Sequence, residues 1–182
     1  EDVRLVRAGG HQLLALINDI LDISMIESGE LSLSFAPHDL RELIDEVVSI
    51  HQPLVRDKDV DLVLEVSPGL PEVVCDRRRI GQVLTNLLSN AIKFTEEGSV
   101  TVRAQFDPER NGVVLQVTDT GVGITPEDLE QIFEEYKQVG SLKKRKKGTG
   151  LGLAIARSIA THHGGNLGAR STPGEGSTLE LT

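Results

Sequence analysis

Residues 148–153 read Gly-Thr-Gly-Leu-Gly-Leu and run straight into Ala154-Ile155-Ala156-Arg157. Three glycines at alternate positions leave one edge of the backbone without side chains, so its amides can close on a bulky anion. The helix that follows aims its N-terminal dipole at the same place. The stretch reads as a phosphate cradle that opens a helix. Glycine triplets also serve turns and tight helix–sheet contacts, so the assignment depends on what else the chain brings to this loop. The P-loop pattern, four residues between Gly and Gly-Lys-Ser/Thr, does not occur, and the glycine spacing is not that of a dinucleotide-binding turn.

Two further pieces answer that need. A helix predicted over 77–94 starts on an Asp76 cap and places Ile80, Val83, Leu84, Leu87, Leu88 and Ala91 on one stripe, with Gln82, Asn86, Asn90 and Lys93 on another. Asn86 and Asn90 are one turn apart and Lys93 is a turn further on, so the three share a face. Neutral amide oxygens suit a hard cation that keeps several waters and shares phosphate oxygens, and a lysine beside them is a point charge for the same phosphates. Magnesium–nucleotide chemistry fits this face, as does a merely solvated helix surface. Asp119 ends a predicted strand two residues before Gly121, with Gly123 beyond it. A carboxylate there can accept from an exocyclic amine while the glycines let a flat base lie on the backbone, although Asp-x-Gly is also an ordinary turn former.

Around these pieces the periodicity alternates. Residues 1–28 carry Val3, Val6, Leu13, Leu14, Ile17, Ile20, Leu21 and Ile23 at helical intervals, with Gly29 as the expected C-cap. Such a stripe wants partner helices, as in a bundle or coiled coil. A strand is expected over 31–35, a helix from the Asp39/Glu42 capping box to Ile50, and strands at 60–66, 73–75, 99–106 and 113–118. Thr125-Pro126 starts a helix through Leu129, Ile132 and Phe133. Periodicity is lost from Glu134 to Lys147, which reads as a lid, and strands at 166–171 and 177–181 follow the glycine-loop helix. Helices separated by antiparallel pairs predict an α+β fold: a two-layer sandwich of a mixed sheet and about three helices, preceded by a long N-terminal helix.

The balance of residues narrows the partners. A formal net charge of -9 argues against a general nucleic-acid surface, even with the basic run Lys143-Lys144-Arg145-Lys146-Lys147. No apolar run approaches the ~20 residues of a membrane span, and no signal peptide opens the chain. Cys75 is the single cysteine, which excludes an internal disulfide and fits a reducing, cytoplasmic setting; it reads as a small buried hydrophobe.

Five stretches in order carry a resemblance: Asn86-Leu87-Leu88-Ser89-Asn90-Ala91-Ile92-Lys93-Phe94, Asp119-Thr120-Gly121-Val122-Gly123-Ile124, Ile132-Phe133-Glu134-Glu135-Tyr136, Gly148 to Leu153, and Gly174-Glu175-Gly176-Ser177-Thr178. They resemble the N, G1, F, G2 and G3 boxes of sensor histidine kinases, a family in the superfamily of gyrase, heat-shock chaperone and mismatch-repair ATPases. The resemblance implies an ATP-binding catalytic domain over 30–182 and, over 1–29, the second helix of a dimerisation and phosphotransfer hairpin. It implies Asn90 as the Mg²⁺ ligand, Asn86 and Lys93 as phosphate-side contacts, and Asp119 as acceptor of the adenine amine, with Gly121 and Gly123 under the base. Gly148, Gly150, Leu151 and Gly152 become hinge and phosphate cradle, and Thr178 a support of the adenine pocket. The F box departs from the family pattern at Glu135, where Pro is usual, and at Tyr136, where Phe is commonest.

In the related hydrolases the position of Asn86 resembles a general-base Glu. An amide cannot take that proton, so the chain is expected to deliver the γ-phosphoryl of ATP to a protein histidine instead of to water. None of the five histidines has the family's acceptor setting: His11 precedes Gln12-Leu13-Leu14, His38 and His51 flank helices, and His162 and His163 end one, where capping is expected. The acceptor is therefore expected outside the chain. Expected partners are ATP, Mg²⁺, an acceptor hairpin and a response regulator receiver domain, with a homodimeric parent. Two other classes stay open: a non-catalytic nucleotide-sensing or interaction module of the same fold, and a hydrolytic ATPase, which would want an acid where Asn86 stands.

Overall fold

The computed structural model describes residues 2–137 and 149–182, and the side chains among them except those of 2–8, 11 and 12. The basic run 143–147, Gly148 and most of the expected lid lie outside the described residues. Helix α1 (Asp2–Glu27) matches the predicted N-terminal helix. It stops where Gly29 takes φ 71°, letting the Gly29 N–H donate to the Ile26 carbonyl and the Glu30 N–H to the Met25 carbonyl. That pair of bonds is a Schellman cap, which needs the left-handed backbone glycine adopts freely.

The strand expected over 31–35 does not form. Strand β1 (Ala36–His38) pairs antiparallel with β3 (Val73–Cys75) as a separate two-stranded ribbon. The Ser34 N–H donates instead to the Asp76 carboxylate, and the Phe35 ring meets His163 edge-on at 5.3 Å. The Leu31-Leu33-Phe35 alternation thus marks an extended segment held by side chains, which period-2 patterning cannot tell from a strand. Cys75 is buried at the end of β3, and burial, with Asp76 beside it, pushes its thiol pKa up.

The main sheet has five strands in the order β2, β4, β5, β7, β6. They are β2 (Asp59–Val66), β4 (Glu97–Asp107), β5 (Gly112–Asp119), β6 (Leu167–Thr172) and β7 (Gly176–Leu181). β2 and β4 run parallel and every other pair is antiparallel. Register aligns three rows on one face: Leu62, Val100, Asp119, Ser177, Ser171; Leu64, Val102, Val117, Leu179, Ala169; and Val66, Ala104, Leu115, Leu181, Leu167. Two rows are apolar and the first turns polar halfway across. The opposite face carries Arg103 paired with Glu65, Gln116 bonded to Glu180, and Thr118 bonded to Thr178.

Three helices cover the apolar rows: α2 (Leu40–Val55), α3 (Arg77–Phe94) and α5 (Gly152–His162). Ile44, Leu88, Ile155 and Ile159 are fully buried against Val100, Val102 and Val117. Each such side chain stabilises the fold by about 1.5–3 kcal/mol relative to exposure. α2 starts on Asp39, whose carboxylate accepts from the Arg41 N–H at 2.7 Å. It continues past the expected end at Ile50 because Pro53 falls in its last turn, where losing one backbone bond costs less than the burial of Val55 gains. The helix expected from Thr125 through Phe133 is a single turn, α4 (Pro126–Leu129); in the turns that follow it Ile132 is buried and Phe133 packs against the core. The α+β sandwich with its N-terminal helix is otherwise as the sequence predicts.

Candidate functional site

α3 is the spine of the site. Asp76 caps it, accepting from the Arg79 N–H at 3.0 Å, and the Lys58 ammonium donates to the Ile92 and Thr95 carbonyls at its other end, where a cation suits the dipole. Along this fixed axis Asn86 and Phe94 stand about 12 Å apart, and each touches a different glycine loop. The Asn86 amide donates from Nδ2 to the Gly152 carbonyl at 2.9 Å, tying the start of α5 to α3. A Cβ on Gly121 would stand 2.5 Å from the Phe94 carbonyl oxygen, so the loop after β5 reaches α3 only because that side chain is missing.

Asp119 ends β5 on the helix side of the sheet and is 6% exposed. Its Oδ1 accepts from the Gly121 N–H at 2.8 Å, and the Ser177 N–H also faces the carboxylate. Burial outweighs both bonds and holds the Asp119 pKa above the usual aspartate range. Gly123, at φ 65°, lies against the Thr172 carbonyl, and the Gly174 N–H donates to the Val122 carbonyl at 2.9 Å, so the two turns form one wall. Ser171 stitches that wall: its Oγ accepts from the Ile124 N–H at 2.8 Å and meets the Ser177 Oγ at 2.9 Å.

Thr178 is not with these groups. One residue along β7 from Ser177, it points to the opposite face of the sheet, where its hydroxyl meets that of Thr118 at 3.0 Å. Strand parity exchanges its expected place with Ser177, which pairs with Asp119 across β5 and β7 and is 8% exposed. Ser177 and Ser171 are the residues the sequence reading missed; the alternation of β7 was legible, but its register against Asp119 was not.

The glycine loop lies at the other end of the site. α5 begins at Gly152, and among the described residues its N-cap residue Leu151 makes no side-chain capping bond to its first-turn N–H groups. Gly150, at φ 74°, lies under the end of the F box; a Cβ there would stand 2.8 Å from the Lys137 carbonyl oxygen. The F box is anchored on α5 by Arg157, whose guanidinium lies 4.7 Å from the Phe133 ring centroid. The departing residue Tyr136 takes φ 59°, is mostly exposed, and leaves these anchors in place. Leu151 is buried beneath the loop and fastens it to the core.

On the face of α3, Asn90 is half-buried with no hydrogen-bond partner among the described residues, and the Lys93 ammonium lies 4.9 Å from the Phe94 centroid. No group of three or more His, Cys, Asp or Glu side chains that could hold a metal exists among the described residues. One amide oxygen fits a cation that takes its remaining oxygens from water and phosphate, as Mg²⁺ does, and does not fit a site built wholly of protein ligands.

This arrangement has known counterparts. Residues 75–182 match the model of the histidine kinase-, DNA gyrase B- and HSP90-like ATPases. The chain belongs to this family. Within it the similarity is to histidine kinases. The catalytic domain of histidine kinase ThkA, solved nucleotide-free, superposes with a TM-score of 0.68 at 31% identity over 81% of this chain and 95% of that one. Full-length ShkA in complex with AMPPNP superposes at 0.85 with 34% identity, covering 98% of this chain and 37% of that chain. Among curated relatives, the non-motile and phage-resistance protein of Caulobacter vibrioides is 46% identical over 97% of this chain, and sensor histidine kinase GacS of Pseudomonas protegens 40% identical over 97%. The chain spans only 21% and 20% of those two proteins. Among the described residues of this ATPase-family chain, no helix is long and apolar enough to cross a membrane.

Proposed function

We propose that residues 30–182 are the ATP-binding catalytic domain of a sensor histidine kinase and residues 1–29 the second helix of its dimerisation hairpin, with the γ-phosphoryl passing to a histidine outside this chain. The observation that carries the reading is the buried Asp119 carboxylate at one end of α3 and the start of α5, tied to Asn86, nearer its middle. Asp119 would accept from the adenine amine, with Gly121 and Gly123 under the base and Ser177 beside it. The N–H groups of Gly150, Gly152 and the first turn of α5, with the Lys93 ammonium, would meet the phosphates.

Asn90 would hold Mg²⁺ through its amide oxygen, and the ion would neutralise phosphate charge during transfer. Asn86 brings no base: its Nδ2 is already donating to Gly152, and an amide oxygen does not take a proton from water. This favours transfer to an acceptor side chain over hydrolysis. The parent reaction is ATP plus protein histidine giving ADP and phosphohistidine, followed by transfer to an aspartate of a response regulator receiver domain. A homodimeric parent and a cytoplasmic setting, where ATP is supplied, accord with this chemistry.

Calorimetric titration with a non-hydrolysable ATP analogue, with and without Mg²⁺, tests the reading. The unmodified chain should bind in a Mg²⁺-dependent manner, and Asp119→Asn should abolish binding, because the amide presents a donor where the adenine amine needs an acceptor. Absence of binding to the unmodified chain would overturn the proposal.

A further inference from the structure

The N-terminal helix does more than precede the ATPase domain; it touches the glycine loop. Thr149 stands between Gly148 and Gly150 in the sequence, and its hydroxyl donates to the Asp19 carboxylate of α1 at 3.2 Å while accepting from the Leu151 N–H at 3.1 Å. One turn further along α1, Asp22 accepts from Arg79 Nη1 and from Gln82 Nε2, both at 2.6 Å, and these two side chains lie on the same polar stripe of α3 as Asn86. Asn86 in turn holds Gly152. Three contacts therefore close a triangle: α1 to α3 through Asp22, α3 to the loop through Asn86, and α1 to the loop through Asp19.

The Asp22 joint is buried and the Asp19–Thr149 bond half-buried. Asp22 is 7% exposed and Arg79 3%. Burial holds the Asp19 pKa above the usual aspartate range, with the Thr149 hydroxyl opposing and Asp22 adding to the shift. A partly desolvated carboxylate draws more from a hydroxyl donor than one in water does. The rest of α1 makes the contact separable, because Leu13, Leu14, Ile17, Ile20 and Leu21 are all exposed and add little apolar burial against the domain. The loop residues 149–152 thus have two external holds, one on the domain's own helix and one on α1.

We infer that Asp19 and Thr149 are positioning residues for the nucleotide: the docked α1 holds the glycine loop in its binding geometry, so a displacement of α1 is felt as a change in ATP affinity. This rests on the nucleotide reading of the site. Neither residue needs to touch the nucleotide for this to hold. The Thr149 hydroxyl holds the Leu151 N–H and with it the bend of the loop, which sets where the neighbouring amides of Gly150 and Gly152 would meet the phosphates.

The test is a fluorescence titration of the whole chain with TNP-ATP in Mg²⁺, alongside thermal melting. Asp19→Ala and Thr149→Val should each raise Kd about three- to tenfold, the effect of one hydrogen bond, and the double variant should do no worse than either single one. Asp19→Asn and Thr149→Ser, which keep an acceptor and a hydroxyl, should restore the affinity, with melting temperatures unchanged throughout. Unchanged Kd values, additive effects, or losses that follow melting temperature instead of the hydrogen bond would overturn the inference while leaving the nucleotide site standing. No binding by the unmodified chain would sink both.

Discussion

A carboxylate that is 6% exposed at a strand end has given up most of its hydration, and the Gly121 and Ser177 amides do not make up the loss at Asp119. Its pKa in the folded chain stands above the unfolded value. The sign follows from linkage: the stabilising contribution is full below the unfolded pKa, where the group is protonated in both states, and is lost as pH rises through the folded pKa. Ionised Asp119 is therefore a cost to the empty fold at neutral pH, and a ligand donor such as an exocyclic amine would offset it. Asp119→Asn cannot ionise, so its melting temperature relative to the parent should rise between about pH 4 and pH 7, whether or not it binds nucleotide. Melts of both proteins across that range check this; a constant or falling difference would contradict it. Residue identities here were legible because Asp119, Asn86 and Asn90 sit in spaced patterns. The exchange of Thr178 for Ser177 was not, since which residue of β7 faces Asp119 is set by pairing across 58 positions of chain, from 119 to 177, and not by local sequence.

The elements were legible where a side chain marks their ends, as Asp39, Asp76, Thr125 and Gly29 do, and illegible where tertiary contacts overrode the pattern. Residues 31–35 alternate like a strand but bond to Asp76 and His163. His163 also bears out its expected place at a helix end: Nδ1–H donates to the Ile159 carbonyl at 2.8 Å, and Nε2 accepts from the Asp76 N–H at 3.1 Å, joining the end of α5 to the start of α3. Nothing local announced that Asp22 would meet Arg79 and Gln82, because the partners are 57 and 60 residues apart. Removing one member of such a pair leaves the other buried and unpaired, which costs about 3–5 kcal/mol unless the helix lifts away and lets water in. α1 has that escape, being held by few apolar contacts besides Ile23 and Ile26. Asp22→Ala should therefore speed amide exchange in the C-terminal half of α1 on the order of a hundredfold while β4 and β5 keep their protection. Equal acceleration in both regions, measured by hydrogen exchange with mass spectrometry, would show that α1 and the sheet open as one unit.

At the scale of the whole molecule, large hydrophobic side chains are exposed on the domain as well, but on α1 five of them share one stripe. Leu13, Leu14, Ile17, Ile20 and Leu21 are 59%, 56%, 45%, 50% and 54% exposed, a continuous stripe on a helix whose opposite side is occupied by Asp19, Asp22 and Ile23. Scattered exposed leucines need no partner, but a helical stripe of this length does. A second copy of α1 would cover it by coiled-coil packing at spacings of 3 and 4 residues. Opposing this, each chain carries a formal net charge of -9, so association brings like charges together. The apolar term is indifferent to modest salt and the repulsion is screened by it, with a Debye length near 10 Å at about 0.1 M. Sedimentation velocity over a concentration series should therefore show a monomer–dimer equilibrium that tightens as salt rises from about 0.05 to 0.5 M. Replacing Leu14 and Leu21 with Glu should leave monomer at every concentration without lowering the melting temperature of the ATPase domain. A monomer throughout in the unmodified chain would mean that the stripe is covered by something other than its own copy, and a dimer that loosens with salt would mean that the contact is ionic and lies elsewhere.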